Sequence, residues 1–289
     1  MFVLDRIVKL LVSLVYHASR RVRGMASEPR REGRSGRFVV LTYHAVKAGQ
    51  RDRFASQMDS LKKLGTVVSA EAAAPRGGEN RIAITFDDGF TSVVENALPV
   101  MGARGMPATI FVPTGYLGAR AEWITKREHQ NYQEVVVTGR QLQGLPNDLV
   151  CIGSHTVHHR DLSSMQPAEA ESELRQSKAA LETLLNRPVH LLSLPYGGCN
   201  TAALDLAKKA GYQRIFMNIP VYNTSAGGED IVGRTNVSPD DWGIEFTLKA
   251  RGAYEWLPLA IKMKRRLRSL FAGTTHVRAE RRDAGIAGE

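Results

Sequence analysis

The 289-residue sequence has only two cysteines, no long apolar run free of charge and no repeat at a fixed period. Two cysteines cannot build a disulfide framework. Cys151 sits on the apolar run Leu149-Val150-Cys151-Ile152, and Cys199 just after Tyr196-Gly197-Gly198. Neither has the neighbours that activate a thiol, so both read as small core residues. The stretch 1–16, MFVLDRIVKLLVSLVY, is interrupted by Asp5, Arg6 and Lys9. It is too short and too charged to span a bilayer. It also lacks the clean apolar core and small-residue cleavage site of a secretory signal.

Excess positive charge is missing from the middle of the chain. The net charge is +10, but residues 1–37 hold nine Lys/Arg against three Asp/Glu, and residues 249–289 hold ten against four. That leaves 20 against 22 for residues 38–248. A nucleic-acid enzyme carries its positive charge around its site. The pattern therefore excludes nucleic acid as the partner.

What is present suits one large soluble domain with extensions, with 43% hydrophobic and 24% charged residues. From Phe38 short apolar segments at 38–43, 82–86, 108–112, 149–153, 190–194, 214–218 and 231–237 alternate with helical patterns at 53–64, 92–102, 167–185 and 201–210. Val67-Val68 is a weaker strand candidate. In the segment 167–185, Ala170, Leu174, Ser177, Leu181 and Leu184 share one helical face. Alternating strands and helices predict a parallel sheet with crossover helices. Seven or eight such strands can close into a (β/α) barrel, with the site at the strands' C-terminal ends.

Two strings fall at such ends. Thr85-Phe86-Asp87-Asp88-Gly89 follows the apolar Ile82-Ala83-Ile84, and His155-Thr156-Val157-His158-His159 follows Leu149–Ile152. Adjacent residues leaving a strand point opposite ways. One aspartate can therefore ligate a metal while the other faces a water at that metal. Two histidines and one aspartate make a three-ligand site with open positions, as a hydrolytic metal requires.

With these strings the chain resembles the polysaccharide deacetylase superfamily, the NodB-homology domain of carbohydrate esterase family four. The first family motif is TFDDG and the second is H-[ST]-x-x-H. The resemblance runs from about Phe38 to about Lys264, through LTYHAV, FASQMDSLKKLG, PATIFVPTGYLG, IGSHTVHHRDL, ELRQSKAALE and LSLPYGG. It implies a distorted (β/α) barrel, a domain over 38–255, and removal of N-acetyl groups from an amino-sugar polysaccharide or its precursor. By the same resemblance Asp88, His155 and His159 bind a divalent metal and Asp87 is the base. Zinc is the default ion for such a donor set, with cobalt, nickel or iron able to substitute. His158, where the family has Ser or Thr, is expected to point away from the metal.

The chain departs from the family in its third motif, where Ser193 replaces the arginine that orients the catalytic aspartate. Pro195 and Tyr196 can still supply an oxyanion-binding N–H and an aromatic wall. Arg234, in IVGRTNV, is expected to reach Asp87 in place of the missing arginine. No histidine lies between Trp242 and Phe271, where many members keep a general acid, and His276 falls in a polar tail. His44, in Tyr43-His44-Ala45-Val46, matches the string that a subgroup including the poly-N-acetylglucosamine deacetylases carries instead, and is expected to be the acid. Asp240-Asp241-Trp242 aligns poorly with the fourth motif.

Outside that domain, residues 1–37 read as a basic amphipathic helix and linker, and 256–289 as a basic helix and tail. On a wheel Asp5, Arg6, Lys9 and Ser13 share one arc and the rest is apolar. Either the helices rest on an anionic membrane, placing the enzyme in the cytoplasm against the inner face, or they pack on the barrel. Two further readings compete with glycan deacetylation: a catalytically silent, membrane-docked glycan-binding domain, and a hydrolase of non-sugar amides.

Overall fold

The structure, a computed structural model, describes residues 2–26, 37–72, 79–197, 200–220, 230–263 and 266. Most of the expected linker, Cys199, His276 and the polar tail lie outside these residues. In chain order the elements are α1 (Phe2–Ala26), β1 (Phe38–Tyr43), α2 (Arg51–Leu61), β2 (Thr66–Val68), β3 (Arg81–Phe86), α3 (Leu98–Gly102), β4 (Ala108–Val112), α4 (Gly139–Gln143) and β5 (Val150–Ser154). They continue with α5 (Pro167–Leu185), β6 (Leu191–Ser193), α6 (Thr201–Lys209), β7 (Arg214–Met217), β8 (Ile231–Gly233), β9 (Thr235–Asn236) and α7 (Gly243–Ala250).

All strand pairs are parallel, in the order β8-β7-β6-β5-β4-β3-β1-β9, with β2 beside the start of β3. The expected strand 231–237 is split, and the split closes the barrel. Ile231–Gly233 pairs with β7, whereas Thr235 and Asn236 pair with Leu41 and Thr42 of β1. Arg234 is the single residue between them. This is the barrel that the alternation allows, in the distorted form that the family resemblance implies.

Local chemistry explains the clearest elements. Proline occupies the first turn of α5, where its missing N–H costs nothing, and Asn186 ends the helix in the left-handed conformation at φ 50°. Its inward face is Ala170, Leu174, Ser177 and Leu181, as the periodicity predicts, joined by a buried carboxylate, Glu173. Burying a leucine such as Leu174 or Leu181 contributes about 1.5–3 kcal/mol. Under α2, Tyr43 packs edge-on against Phe54 at 5.2 Å and stacks on Phe86 at 5.7 Å. Neither α4 nor α7 shows in the apolar pattern. The first begins at a Thr138 cap whose oxygen accepts from Gln141 N–H.

Helix α1 does pack on the protein, but through its polar side. Ser13 is fully buried and accepts a hydrogen bond from Trp256 Nε1 at 2.9 Å. Arg6 donates to Glu245 Oε2 at 2.6 Å and lies 4.3 Å over the Trp242 ring, and Arg20 pairs with Glu255. Leu10 and Leu14 pack beside them against Leu248, Ala253 and Tyr254. Asp240, which the sequence left without a role, accepts from Arg6 through its carbonyl and from Arg53 through its carboxylate.

Candidate metal centre and active-site pocket

Strand β3 delivers Asp87 and Asp88 to the barrel's C-terminal rim. Asp87 N–H donates to Tyr43 O at 2.9 Å, which prolongs the β1–β3 ladder by one bond. The chain then turns through two left-handed residues, Asp88 at φ 70° and Gly89 at φ 58°. Glycine is required at the second, because a Cβ there would lie 3.1 Å from Val112 in a conformation side chains disfavour. The turn sends the two carboxylates to different partners.

Asp87 is completely buried and gripped by Arg234, whose Nη1 and Nη2 donate to Oδ1 and Oδ2 at 2.7 Å each. Arg234 Nη2 also donates to Ser193 Oγ at 2.7 Å and to Asn218 Oδ1 at 2.6 Å. Its guanidinium also faces the neighbouring Phe111 and Phe216 rings, 5.3 and 5.8 Å from their centroids. Burial alone would raise the Asp87 carboxyl, but the charge and hydrogen bonds of Arg234, together with the nearby imidazoles, outweigh it and hold the group well below the usual carboxylate range. The residue at the departed motif position, Ser193, thus accepts a hydrogen bond from the arginine that comes from elsewhere.

Asp88 meets the histidines. Its Oδ1 lies 3.1 Å from His159 Nε2 and 3.6 Å from His155 Nε2, and one ligand atom from each residue falls within 4.8 Å of the others. His155 Nδ1 is 2.8 Å from the carbonyl of Ser193. A carbonyl can only accept, so Nδ1 carries the proton. Burial pushes the His155 pKa down to about 4, so the ring is neutral at pH 7 and its Nε2 lone pair faces Asp88. Asp88 Oδ1 is itself buried without a hydrogen bond. Electron-rich atoms turned on one another repel unless a cation lies among them. The three residues therefore fit a divalent metal held by one oxygen and two nitrogens.

His158 points away, with its Nδ1 2.6 Å from Glu173 Oε1. Glu173 does more, since its Oε2 accepts the backbone N–H groups of Val157 and His158 at 2.9 Å each. This buried carboxylate from α5 clamps a turn in which Thr156 and His159 both have positive φ, 65° and 53°. Sequence reading missed it, because a glutamate on an otherwise apolar helical face leaves no periodic signal.

A pocket of about 610 Å³ opens over the centre, lined by Asp87, Asp88, His155 and His159 and by His44, Tyr196, Asn218 and Asn236. His44 is half-buried in its wall. Tyr196, at φ 58°, sets its ring 4.8 Å from His159, while Pro195 is buried behind it. The opposite wall is a segment the sequence reading passed over, from Trp123 to Asn131. Trp123 stacks on His159 at 4.5 Å, and the segment is tied down by a hydrogen bond from Lys47 Nζ to Gln130 O. Its length between β4 and α4, with a tryptophan and many polar residues, was the available signal, since loops this long are usually functional. Cys151 is a free thiol that burial pushes up to about 12, in keeping with a core role.

Residues 74–215 match the family model described as polysaccharide deacetylase. The chain is 28% identical over 230 residues to YxkH of Bacillus subtilis (strain 168), assigned to the polysaccharide deacetylases, covering 75% of this chain and 76% of that one. It is also 28% identical over 136 residues to the poly-beta-1,6-N-acetyl-D-glucosamine N-deacetylase of Staphylococcus aureus (strain MSSA476), 44% of each chain, so it spans under half of that relative. Among solved structures, IcaB from Ammonifex degensii superposes with a TM-score of 0.59 at 23% identity, covering 76% of this chain and 97% of that one. At that identity the likeness shows the fold.

Proposed function

The chain belongs to the polysaccharide deacetylase family, and on that premise we propose that it is a metal-dependent hydrolase removing N-acetyl groups from an amino-sugar polysaccharide or its precursor. The observation that carries the reading is the pairing, in one pocket, of an Arg234-held Asp87 with the Asp88, His155 and His159 donor set. An N-acetylated glycan is the substrate class, as the name of the staphylococcal relative indicates for that protein. Zinc is the ion the donor set favours.

When bound, the metal would polarise the acetyl carbonyl and acidify water, chemistry that Asp88, His155 and His159 are placed to hold. Asp87 takes the proton of the attacking water. A carboxylate so stabilised by Arg234 is a weak base, so it can serve only water that is already acidified. Arg234 fixes both carboxylate oxygens, so Asp87 cannot turn towards the metal donors. As water oxygen bonds to the acetyl carbon and the C–N bond breaks, the amine nitrogen needs a proton, which His44 in the pocket wall supplies. Tyr196 forms an aromatic wall, and its turn supplies the N–H for the developing oxyanion.

The test is release of acetate from chitin oligomers and β-1,6-linked N-acetylglucosamine oligomers, with small cyclic amides as controls, by protein whose metal content has been measured. Acetate from an oligosaccharide that scales with bound metal supports the reading. Turnover of the cyclic amides alone would assign a non-sugar amidase. Bound metal with no turnover of any of these substrates or of a chromogenic acetyl ester would leave a glycan-binding domain.

A further inference from the structure

Helix α1 shows its apolar side to solvent. Leu4, Val8, Leu11 and Val15 are 68, 50, 56 and 70% exposed. At 100° per residue they fall within an arc of about 60°. Arg6, Ser13 and Arg20, which hold the helix to the protein, lie on the opposite side of the wheel. The orientation is set by those buried and ion-paired contacts, so it is not free to reverse. Residues 257–263 are helical and add Leu259 and Met263, 64 and 55% exposed, just beyond Trp256, whose ring N–H bonds to Ser13 of α1. Among the described residues nothing covers this surface. An apolar surface so continuous marks a contact site.

We propose that this surface is the site at which the protein lies on an anionic lipid bilayer. Charge complementarity selects the partner. Residues 1–37 hold nine Lys/Arg against three Asp/Glu, and the whole chain carries +10, so a second copy would be repelled where anionic lipid is attracted. Exposed Lys262 lies between Leu259 and Met263 in the chain. No described helix is long and apolar enough to cross a membrane. The helix is about 37 Å long and would lie in the interface plane, its apolar side sunk about 5–10 Å.

The placement bears on substrate access. Asp5, Arg6 and Lys9 of α1 line a second cavity of about 320 Å³ together with Asn218 and Asn236, and both asparagines also line the active-site pocket. A bilayer held by α1 would therefore lie on the side of the barrel that carries this second cavity, from which a lipid-linked or membrane-bound glycan could reach the shared asparagines. The docking does not depend on the proposed hydrolysis.

Co-sedimentation of the full chain with phosphatidylglycerol-containing vesicles, against pure phosphatidylcholine, tests this at low salt. The chain should bind the anionic vesicles selectively. Binding should fall at least tenfold in a Leu4→Gln, Val8→Gln, Leu11→Gln, Val15→Gln variant with unchanged melting temperature. Lys262→Gln, exposed and outside the contacts that seat α1, should weaken binding about fivefold, as about 1 kcal/mol per charge implies, and Lys262→Glu should weaken it further. These two variants decide the matter if the fourfold variant does not fold. No binding to anionic vesicles, or binding unchanged by these substitutions, overturns the proposal. A concentration-dependent dimer abolished by the fourfold substitution would also overturn it, giving the surface to a second copy.

Discussion

Arg234 and Asp87 form a two-point ion pair, 2.7 Å at each oxygen, across 147 residues of chain and with neither side chain exposed. The arginine stands at the only residue between the two half-strands that close the barrel. The residue that links the two closing half-strands therefore also fixes the carboxylate proposed as the base.

Arg234→Met should destabilise the protein by about 3–5 kcal/mol, because it leaves a buried carboxylate unpaired. Arg234→Lys should lose two-point contact and cut kcat/KM while recovering part of the stability. Ser193→Ala removes one hydrogen bond to the same guanidinium and should cost about 1 kcal/mol. Chemical denaturation beside steady-state kinetics reads both effects. A fully active, fully stable Arg234→Met protein would refute the role.

Replacing Asp88, His155 or His159 by Ala should abolish stoichiometric metal, since two remaining donors do not hold an ion tightly. Glu173→Ala should weaken metal affinity by about 10–100-fold, the range seen when groups supporting ligands are removed. His158→Ala should change it little, because the backbone N–H groups held by Glu173 remain. Chelator competition measures all five proteins. Metal retained in His159→Ala would shift the ligand assignment to His158.

His44→Ala should lower hydrolysis of an acetamide substrate by at least about a hundredfold, as loss of a general acid does. Hydrolysis of p-nitrophenyl acetate should fall far less, because that leaving group needs no proton. The alkaline limb of the amide pH–rate profile should disappear with the histidine. Equal losses on both substrates would assign His44 a structural role and move the acid elsewhere.

In the metal-free protein burial pushes the His155 pKa down to about 4, from about 6.5 for the free side chain. Between those values the unfolded chain binds a proton that the folded chain does not. Its contribution to stability is therefore intact above pH 6.5 and is lost as pH falls, at up to about 1.4 kcal/mol per pH unit. Denaturant midpoints of the apo-protein from pH 7.5 to 4 should show this slope, and His155→Asn should flatten it. An unchanged slope in the variant would exclude His155 as its source.

The sequence determined what local pattern can encode. Strand and helix alternation follows from side-chain period, so β1, β4 and α5 are legible to within a residue or two. The candidate donors Asp88, His155 and His159 are legible because they lie in short strings at strand ends. Asp87 and His44 also end strands but take their expected roles from the family resemblance, and the barrel brings both to one pocket. Arg234 could be suspected beside Asp87 only through the missing arginine at Ser193. The contact itself exists because β8 and β9 bond to opposite edges of the sheet, a non-local event that no spacing records. Glu173 and the segment from Trp123 to Asn131 depend in the same way on which surfaces the folded chain brings against the histidine turn. For α1 the wheel separated polar from apolar sides but could not say which one packs. The tertiary structure decided that, because Glu245, Glu255 and Trp256 offer ion pairs and a hydrogen bond to Arg6, Arg20 and Ser13, and such directional contacts outweigh apolar area where the partner surface is charged.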